Sequence, residues 1–370
     1  MTLRLLSGRG CHPQETYRYF APARLSAFHR QTILNCLFGD RWTSILVTDG
    51  QLAMLHCFTI LPIQTSPYFD IDAWIGYAGP LFNDSSPPTH FVREAFSLYR
   101  NWCWQNDIVA EVIRFDPVLS NHDPFRQAEG IHLVEGRPIA YAPCHPDSDD
   151  GQLSRYTPAC RRSIRAAKSR YELVRLDKCC SRERRLFFDL YHASLRRVGA
   201  LRRWYFDREF ADRVSSTPEV ELWAAMTQVD GELRPISAIL SVADERIGHS
   251  LLVANLDPRA YPGAHDYLTH GLIRSYAAAG REAVCLGGGG RNVPNDSLLR
   301  FKLRFCAGHV RRLIVGTSVH NPAACAWLTE TAQAQAAVDA RLQPTDDFLR
   351  DLTPYRWAAR FARPDLNFVD

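Results

Sequence analysis

Apolar positions along this chain recur in two rhythms, and each rhythm appears twice. Near the start they fall at helical spacing through Leu25, Phe28, Ile33 and Leu37, and Gly39-Asp40 ends the run, so the spacing predicts a helix over 15–38. Residues 42–48 then read as a strand, Asp49-Gly50 as a tight turn, and 51–63 as the returning strand of a hairpin. A further strand is predicted at 71–77. A helix carrying Phe91, Phe96, Tyr99 and Trp102 follows at 91–105, then a strand at 108–115. Residues 144–154, CHPDSDDGQLS, are rich in turn formers and mark a linker.

Beyond the linker come a basic helix at 158–170, a strand near 171–176 and helices at 181–199 and 207–214. The opening pattern then returns. Residues 220–229 read as a strand, Asp230-Gly231 as a turn, 236–243 as its partner and 247–253 as another strand. A helix at 265–279 stops at Gly280, and a short strand follows at 283–286. A helix at 298–305, a strand at 310–315 and an alanine-rich helix at 322–342 complete the chain. Each half thus contains an Asp-Gly hairpin, a further strand, an amphipathic helix and another strand. The expected fold is α/β, with mixed sheets in two tandem domains at 1–150 and 151–370, and the length of 370 residues suits two domains. A single larger α/β domain with two chance Asp-Gly turns is the alternative.

Composition narrows the class. No apolar run approaches the roughly 18 residues of a membrane span; the longest, 52–63, is broken by His56 and Pro62. The first residues, MTLRLLSGRGCHPQ, carry too short an apolar run for a secretory signal, so a cytoplasmic protein is expected. Eleven cysteines without a Cys-x-x-Cys pair read as small buried hydrophobes in a reducing compartment, and no metal site is expected. His265 and His270, five apart, do not share a helix face well and make no metal pair. Net charge is only +4, yet residues 155–213 hold 17 Lys or Arg against 7 Asp or Glu. That excess suits an anionic partner such as RNA, a phosphorylated carrier or a nucleotide sugar. Arg161, Arg162, Arg165 and Lys168 lie together there, and 161, 165 and 168 share a helix face suited to a donor's phosphates.

The densest chemistry is in residues 286–305, LGGGGRNVPNDSLLRFKLRF. Four glycines directly after a strand weaken the element and let a ligand approach the backbone, so Gly287, Gly288, Gly289 and Gly290 are candidate donor-binding positions. The run lacks the Gly-Lys-Ser/Thr of a phosphate loop and the Gly-x-Gly-x-x-Gly of a dinucleotide fold. No Gly-x-Ser-x-Gly elbow supports a hydrolase triad. Asp296 and Ser297 offer caps for a helix that carries Phe301 and Lys302. A lysine there is placed to face a tetrahedral oxyanion, and the phenyl ring to form an apolar wall or a stacking face for a nucleobase.

The string GGG…DSLLRFK resembles the closing motif of the Fem family of aminoacyl transferases, in which a Gly-rich turn precedes a Phe-Lys pair. Residues 68–81, YFDIDAWIGYAGPL, resemble the family's first-domain Gly-Tyr-x-Gly-Pro segment, and 109–121, VAEVIRFDPVLSN, its strand ending in Arg-Phe-x-Pro. The three matches lie in order over about 40–315. The resemblance implies two GNAT-like domains and transfer of an amino acid from aminoacyl-tRNA to an amine, without a cofactor. It implies Lys302 and Phe301 as the catalytic pair. The family's usual acceptor is a peptidoglycan stem peptide, and related branches act in natural-product assembly; this chain shows no long helical hairpin inserted in its second half. Asp70, Asp72, Tyr77 and Arg114 are candidates for the acceptor side.

Two other readings stay open. One is a GNAT N-acyltransferase using acyl-CoA or an acyl carrier. Arg259-Ala-Tyr-Pro-Gly-Ala loosely matches a CoA pyrophosphate loop, with Pro262 where its first glycine belongs. The other is a non-catalytic RNA-binding protein that keeps the basic helix.

Overall fold

The computed structural model describes residues 1–7, 13–63, 66–72, 75–146, 148–200, 204–229, 231–290, 296–338 and 355. They divide into two compact units, Met1–Arg137 with the chain from Arg312, and Pro138–Arg311.

The first unit opens with β1 (Thr2–Ser7), α1 (Pro13–Tyr17) and α2 (Gln31–Phe38). The single helix expected over 15–38 is thus broken, with short 3-10 turns at Pro22–Arg24 and Ala27–His29 between its halves. Pro22 has no N–H for a continuing helix, and its ring would collide with the turn before it. The apolar pattern still finds its core, because Phe20, Leu25 and Phe28 are buried.

β2 (Trp42–Thr48) and β3 (Ala53–Pro62) form the expected hairpin, with Trp42 opposite Thr59 and Thr48 opposite Ala53. Asp49 closes the turn by accepting the N–H groups of Gln51 and Leu52 at 3.0 and 2.9 Å. β4 (Phe69–Asp72), β5 (Leu81–Phe82), α3 (Thr89–Gln105) and β6 (Ile108–Arg114) follow. β4 ends before Tyr77, which the sequence placed in a strand; Gly76, with φ +88°, turns the chain there.

β7 (His132–Pro143), which the apolar pattern did not reveal, carries the chain into the second unit. There follow α4 (Asp149–Ser154), α5 (Pro158–Lys168), β8 (Glu172–Leu176), α6 (Ser181–Val198) and α7 (Arg208–Ser216). Next come β9 (Val220–Val229), β10 (Glu232–Ala243), β11 (Ile247–Asn255), α8 (Ala264–Ala278), β12 (Ala283–Gly287) and α9 (Ser297–Leu303). β13 (Val310–Val319) leads back to the first unit, where α10 (Pro322–Val338) lies.

The two units share one plan. The first has strand order β1-β2-β3-β4-β6-β13 and the second β8-β9-β10-β11-β12-β7. Neighbours are antiparallel except at one place in each sheet, β4 beside β6 and β11 beside β12. A division at 150 therefore misplaces the ends. The sixth strand of the first unit comes from the far end of the chain, and that of the second precedes its other five. Ala324, Leu328 and Ala332 of α10 bury against Ile63, Val109 and Ala110, which ties the returning segment to the first unit.

In the first core Phe91, Phe96 and Tyr99 of α3 cover Ile45, Met54, Ile108 and Ile113. In the second, Leu268, Leu272 and Ile273 of α8 pack with Ile164, Ile239, Val284 and Phe305. Among the described residues no helix is long and apolar enough to cross a membrane.

Candidate active site in the second unit

The parallel pair of the second unit gives the site its shape. β11 and β12 pair only at Ile247–Ala283, Gly248–Val284 and His249–Cys285. β11 then runs on to Asn255 and β12 to Gly287 without further pairing between them. The carboxyl ends of diverging parallel strands are where open α/β sheets receive ligands. The loop into α8 leaves one of these ends, and the glycine run leaves the other.

Lys302 belongs to this place. Its Nζ donates to the Gly288 carbonyl at 2.7 Å, so the ammonium is held against the end of β12. The side chain is half-buried. Asp296, the N-cap of α9, accepts the Leu299 N–H at 2.8 Å and the Gly290 N–H at 3.2 Å through one carboxylate oxygen. One short side chain thereby joins the glycine run to the helix that carries the lysine. Gly287 has φ +78°, a conformation other residues seldom adopt. Within the glycine run the Gly288 carbonyl faces Lys302 and the Gly290 N–H is held by Asp296.

Phe301 is already stacked. Its ring lies 5.2 Å from His265 at an interplanar angle of 22°, and 5.6 Å from Phe305 edge-to-face. The Arg304 guanidinium carbon is 4.7 Å from the same ring centroid. Arg304 also pairs with Asp266, whose other oxygen accepts the Ser163 hydroxyl at 2.5 Å. This polar chain links α5, α8 and α9. His265 Nδ1 is 3.0 Å from Ser237 Oγ, which donates to Asn255 Oδ1 at 2.8 Å. Burial, with Lys302 and then Arg304 nearby, depresses the His265 pKa to about 4, so the ring is neutral at physiological pH.

Sequence reasoning missed His265, Ser237, Asn255 and Asp266 as parts of this site. It considers His265 only as a metal ligand, and the signal that could have found it is its place just after Pro262-Gly263 at a helix start. Among the described residues no group of three or more His, Cys, Asp or Glu side chains converges to hold a metal.

The basic helix is α5, capped by Thr157. Arg161 turns back to donate to the carbonyls of Tyr156 and Ser154 at 2.9 and 3.1 Å. Lys168 pairs with Asp149 at 3.3 Å, and Arg165 approaches Asp150 at 4.0 Å. Both acids sit just before the stretch whose charges were counted, so the cationic face is partly compensated. Arg162, Arg165 and Lys168 remain exposed.

The candidate acceptor residues all lie in the first unit. Asp70, Asp72 and Arg114 are buried, and Arg114 pairs with Asp72. Two of the residues proposed for the acceptor side, Asp72 and Arg114, are thus paired with each other. Tyr77 is half-buried, its ring 6.2 Å from Phe28.

Residues 154–302 match the family model described as Acetyltransferase (GNAT) domain. No curated protein matches the chain. Among solved structures, FemX is 13% identical with a TM-score of 0.65, over 85% of this chain and 97% of that one. The C-terminal domain of a putative lysylphosphatidylglycerol synthetase from Agrobacterium fabrum is 12% identical with a TM-score of 0.52, over 90% and 97%. A tandem GNAT protein from the clavulanic acid biosynthesis pathway is 12% identical with a TM-score of 0.50, over 87% and 99%. The chain thus has a Fem-like fold of two GNAT-type units, and the part of it that matches the Acetyltransferase (GNAT) domain model, residues 154–302, lies in the second unit.

Proposed function

We propose that the chain moves an aminoacyl group from aminoacyl-tRNA to an amine, forming an amide. The observation that carries this reading is the Lys302 ammonium, fixed by the Gly288 carbonyl beside Phe301 where β11 and β12 part. A fixed cation at such a place stabilises the oxyanion formed when an amine attacks an ester carbonyl. The carbonyl electron pair moves to oxygen opposite Lys302 and then returns as the bond to ribose breaks. The amine proton ends on the departing ribose oxygen. FemX, whose fold the chain shares, supports this reading, as does the Phe-Lys motif.

The loop before α8 favours an aminoacyl ester over a CoA thioester. A pyrophosphate is gripped by free N–H groups at a helix start. Here Pro262 has none, and the Ala264 N–H turns back to the Tyr261 carbonyl at 3.3 Å. The tandem GNAT protein, whose structure is described as being without AcCoA, keeps a thioester donor as the second reading.

The test is a gel shift with charged tRNA over a salt series, with acyl-CoA as competitor, followed by single-turnover transfer. Salt-sensitive binding untouched by acyl-CoA is expected. Lys302→Met should then slow transfer by about 10²–10³-fold. Displacement by acyl-CoA would move the donor to the thioester class, and unchanged transfer by folded Lys302→Met would remove the lysine from the chemistry.

A further inference from the structure

His265 is the second residue of α8, and the protons around it can be counted. A hydroxyl carries one proton, and Ser237 directs its own to Asn255 Oδ1 at 2.8 Å. Ser237 Oγ therefore meets His265 Nδ1, 3.0 Å away, as an acceptor. The ring proton sits on Nδ1. A neutral imidazole has only one such proton, so Nε2 presents a lone pair. Burial, with Lys302 and Arg304 nearby, keeps the ring neutral. Among the described residues no hydrogen-bond partner engages Nε2, and His265 stays half-buried. The ring stacks on Phe301, the neighbour in sequence of Lys302.

We infer that His265 Nε2 takes the proton of the attacking amine and passes it to the leaving oxygen of the donor. This rests on the aminoacyl-ester reading. The amine lone pair forms the C–N bond while the carbonyl π pair moves to oxygen near Lys302. The nitrogen, now positively charged and strongly acidic, gives one proton to Nε2. The oxyanion pair re-forms the carbonyl, the bond to the ribose oxygen breaks, and that oxygen takes the proton from Nε2. The products are an amide and a free ribose hydroxyl, and the imidazole is again neutral. A weakly basic imidazole suits the second half of the exchange, because it surrenders its proton readily to an alkoxide. Lys302 and His265 thus divide the work, one on charge and the other on the proton.

The test is single-turnover transfer by His265→Ala and His265→Gln, with tRNA binding measured alongside. Transfer should fall by about 10²–10⁴-fold while binding holds. Free imidazole should restore the alanine variant, and a series of substituted imidazoles should restore it in order of their basicity. A histidine that only supports Phe301 would show no such order. Wild-type transfer by a folded variant, or rescue independent of basicity, would overturn the inference. Nitrogen-15 NMR of the wild-type imidazole reads the tautomer with no donor present: Nδ1–H is expected, and Nε2–H would overturn the inference. A wild-type protein with the Nδ1–H tautomer that transfers nothing from aminoacyl-tRNA would instead defeat the donor reading.

Discussion

At the scale of the residue, the glycine run is not uniform. A Cβ built on Gly289 would lie 2.6 Å from Asp296 Oδ1 and 2.8 Å from its Cγ, too close for either to stay. Asp296 would have to release the Leu299 and Gly290 N–H groups, and α9 would lose its cap at a cost of about 1 kcal/mol. Lys302, near the far end of α9, would shift against Gly288. Gly289→Ala should therefore slow single-turnover transfer on the order of 10²-fold with little loss of global stability. Gly290→Ala is the matched control, since its Cβ meets Asp296 only at 3.7 Å. Equal transfer by the two variants would show that Asp296 does not position the lysine. The sequence made the glycines suspicious, and it placed Phe301 and Lys302 correctly on a capped helix. It could not show which glycine must lack a side chain, because that depends on Asp296 folding back across residues six and seven positions away. His265 was hidden for a related reason. Its hydrogen-bond chain to Ser237 and Asn255 joins a helix to two strands, and no local spacing encodes such a chain.

At the scale of the element, the first unit holds a polar knot where the apolar pattern predicted only core. Glu111 of β6 is fully buried. It is bonded to His56 of β3, accepts Tyr99 Oη of α3 at 2.9 Å, and lies 3.6 Å from His320 Nε2 just past β13. Burial would raise its pKa, but the two imidazoles outweigh burial and hold it at about 2. The folded value is below the unfolded value of about 4.3, so the charged carboxylate contributes stability above that pH and loses it as pH falls toward 2. Glu111→Gln keeps the size and removes the charge. The gap in urea midpoint between wild type and variant should be full near pH 6 and shrink between about pH 4 and pH 2. A gap that stayed constant through that window would mean the charge contributes nothing. Glu111→Ala, which leaves two buried imidazoles without their carboxylate, should cost about 3–5 kcal/mol. The strand itself was legible from its β-rich residues, and one acid within it was the only trace of the knot, because its partners lie on three other segments.

At the scale of the whole molecule, the repeated plan was readable because each half announces itself by an Asp-Gly hairpin and a helix between parallel strands. The division of the chain was not readable from those signals. Composition changes at the turn-rich stretch 144–154, but the second unit already contains β7 from Pro138 onward, and α4 occupies 149–154. Strand exchange of this kind leaves no local mark, since an edge position depends on which sheet a strand joins. It does have a consequence for fragments. Residues 138–311 hold β8 to β12 whole, the stretch of β7 that pairs with β12, and the second core, including Ala140, Ala142, Leu268, Val284 and Phe305. A unit with its own core can fold alone. This fragment should show a cooperative thermal transition and a dispersed amide NMR spectrum. Residues 1–150, the unit expected from sequence alone, lack β13 and α10. β6 would lose its partner along Ala110–Arg114, and Val109 and Ala110 would lose the cover of Ala324 and Leu328. That fragment should be aggregation-prone or unfolded, because it exposes a bare sheet edge and an uncovered apolar face. Adding 312–370 in trans should restore its cooperative transition. A 1–150 fragment that folded unaided would show that β13 and α10 are accessories to the first unit.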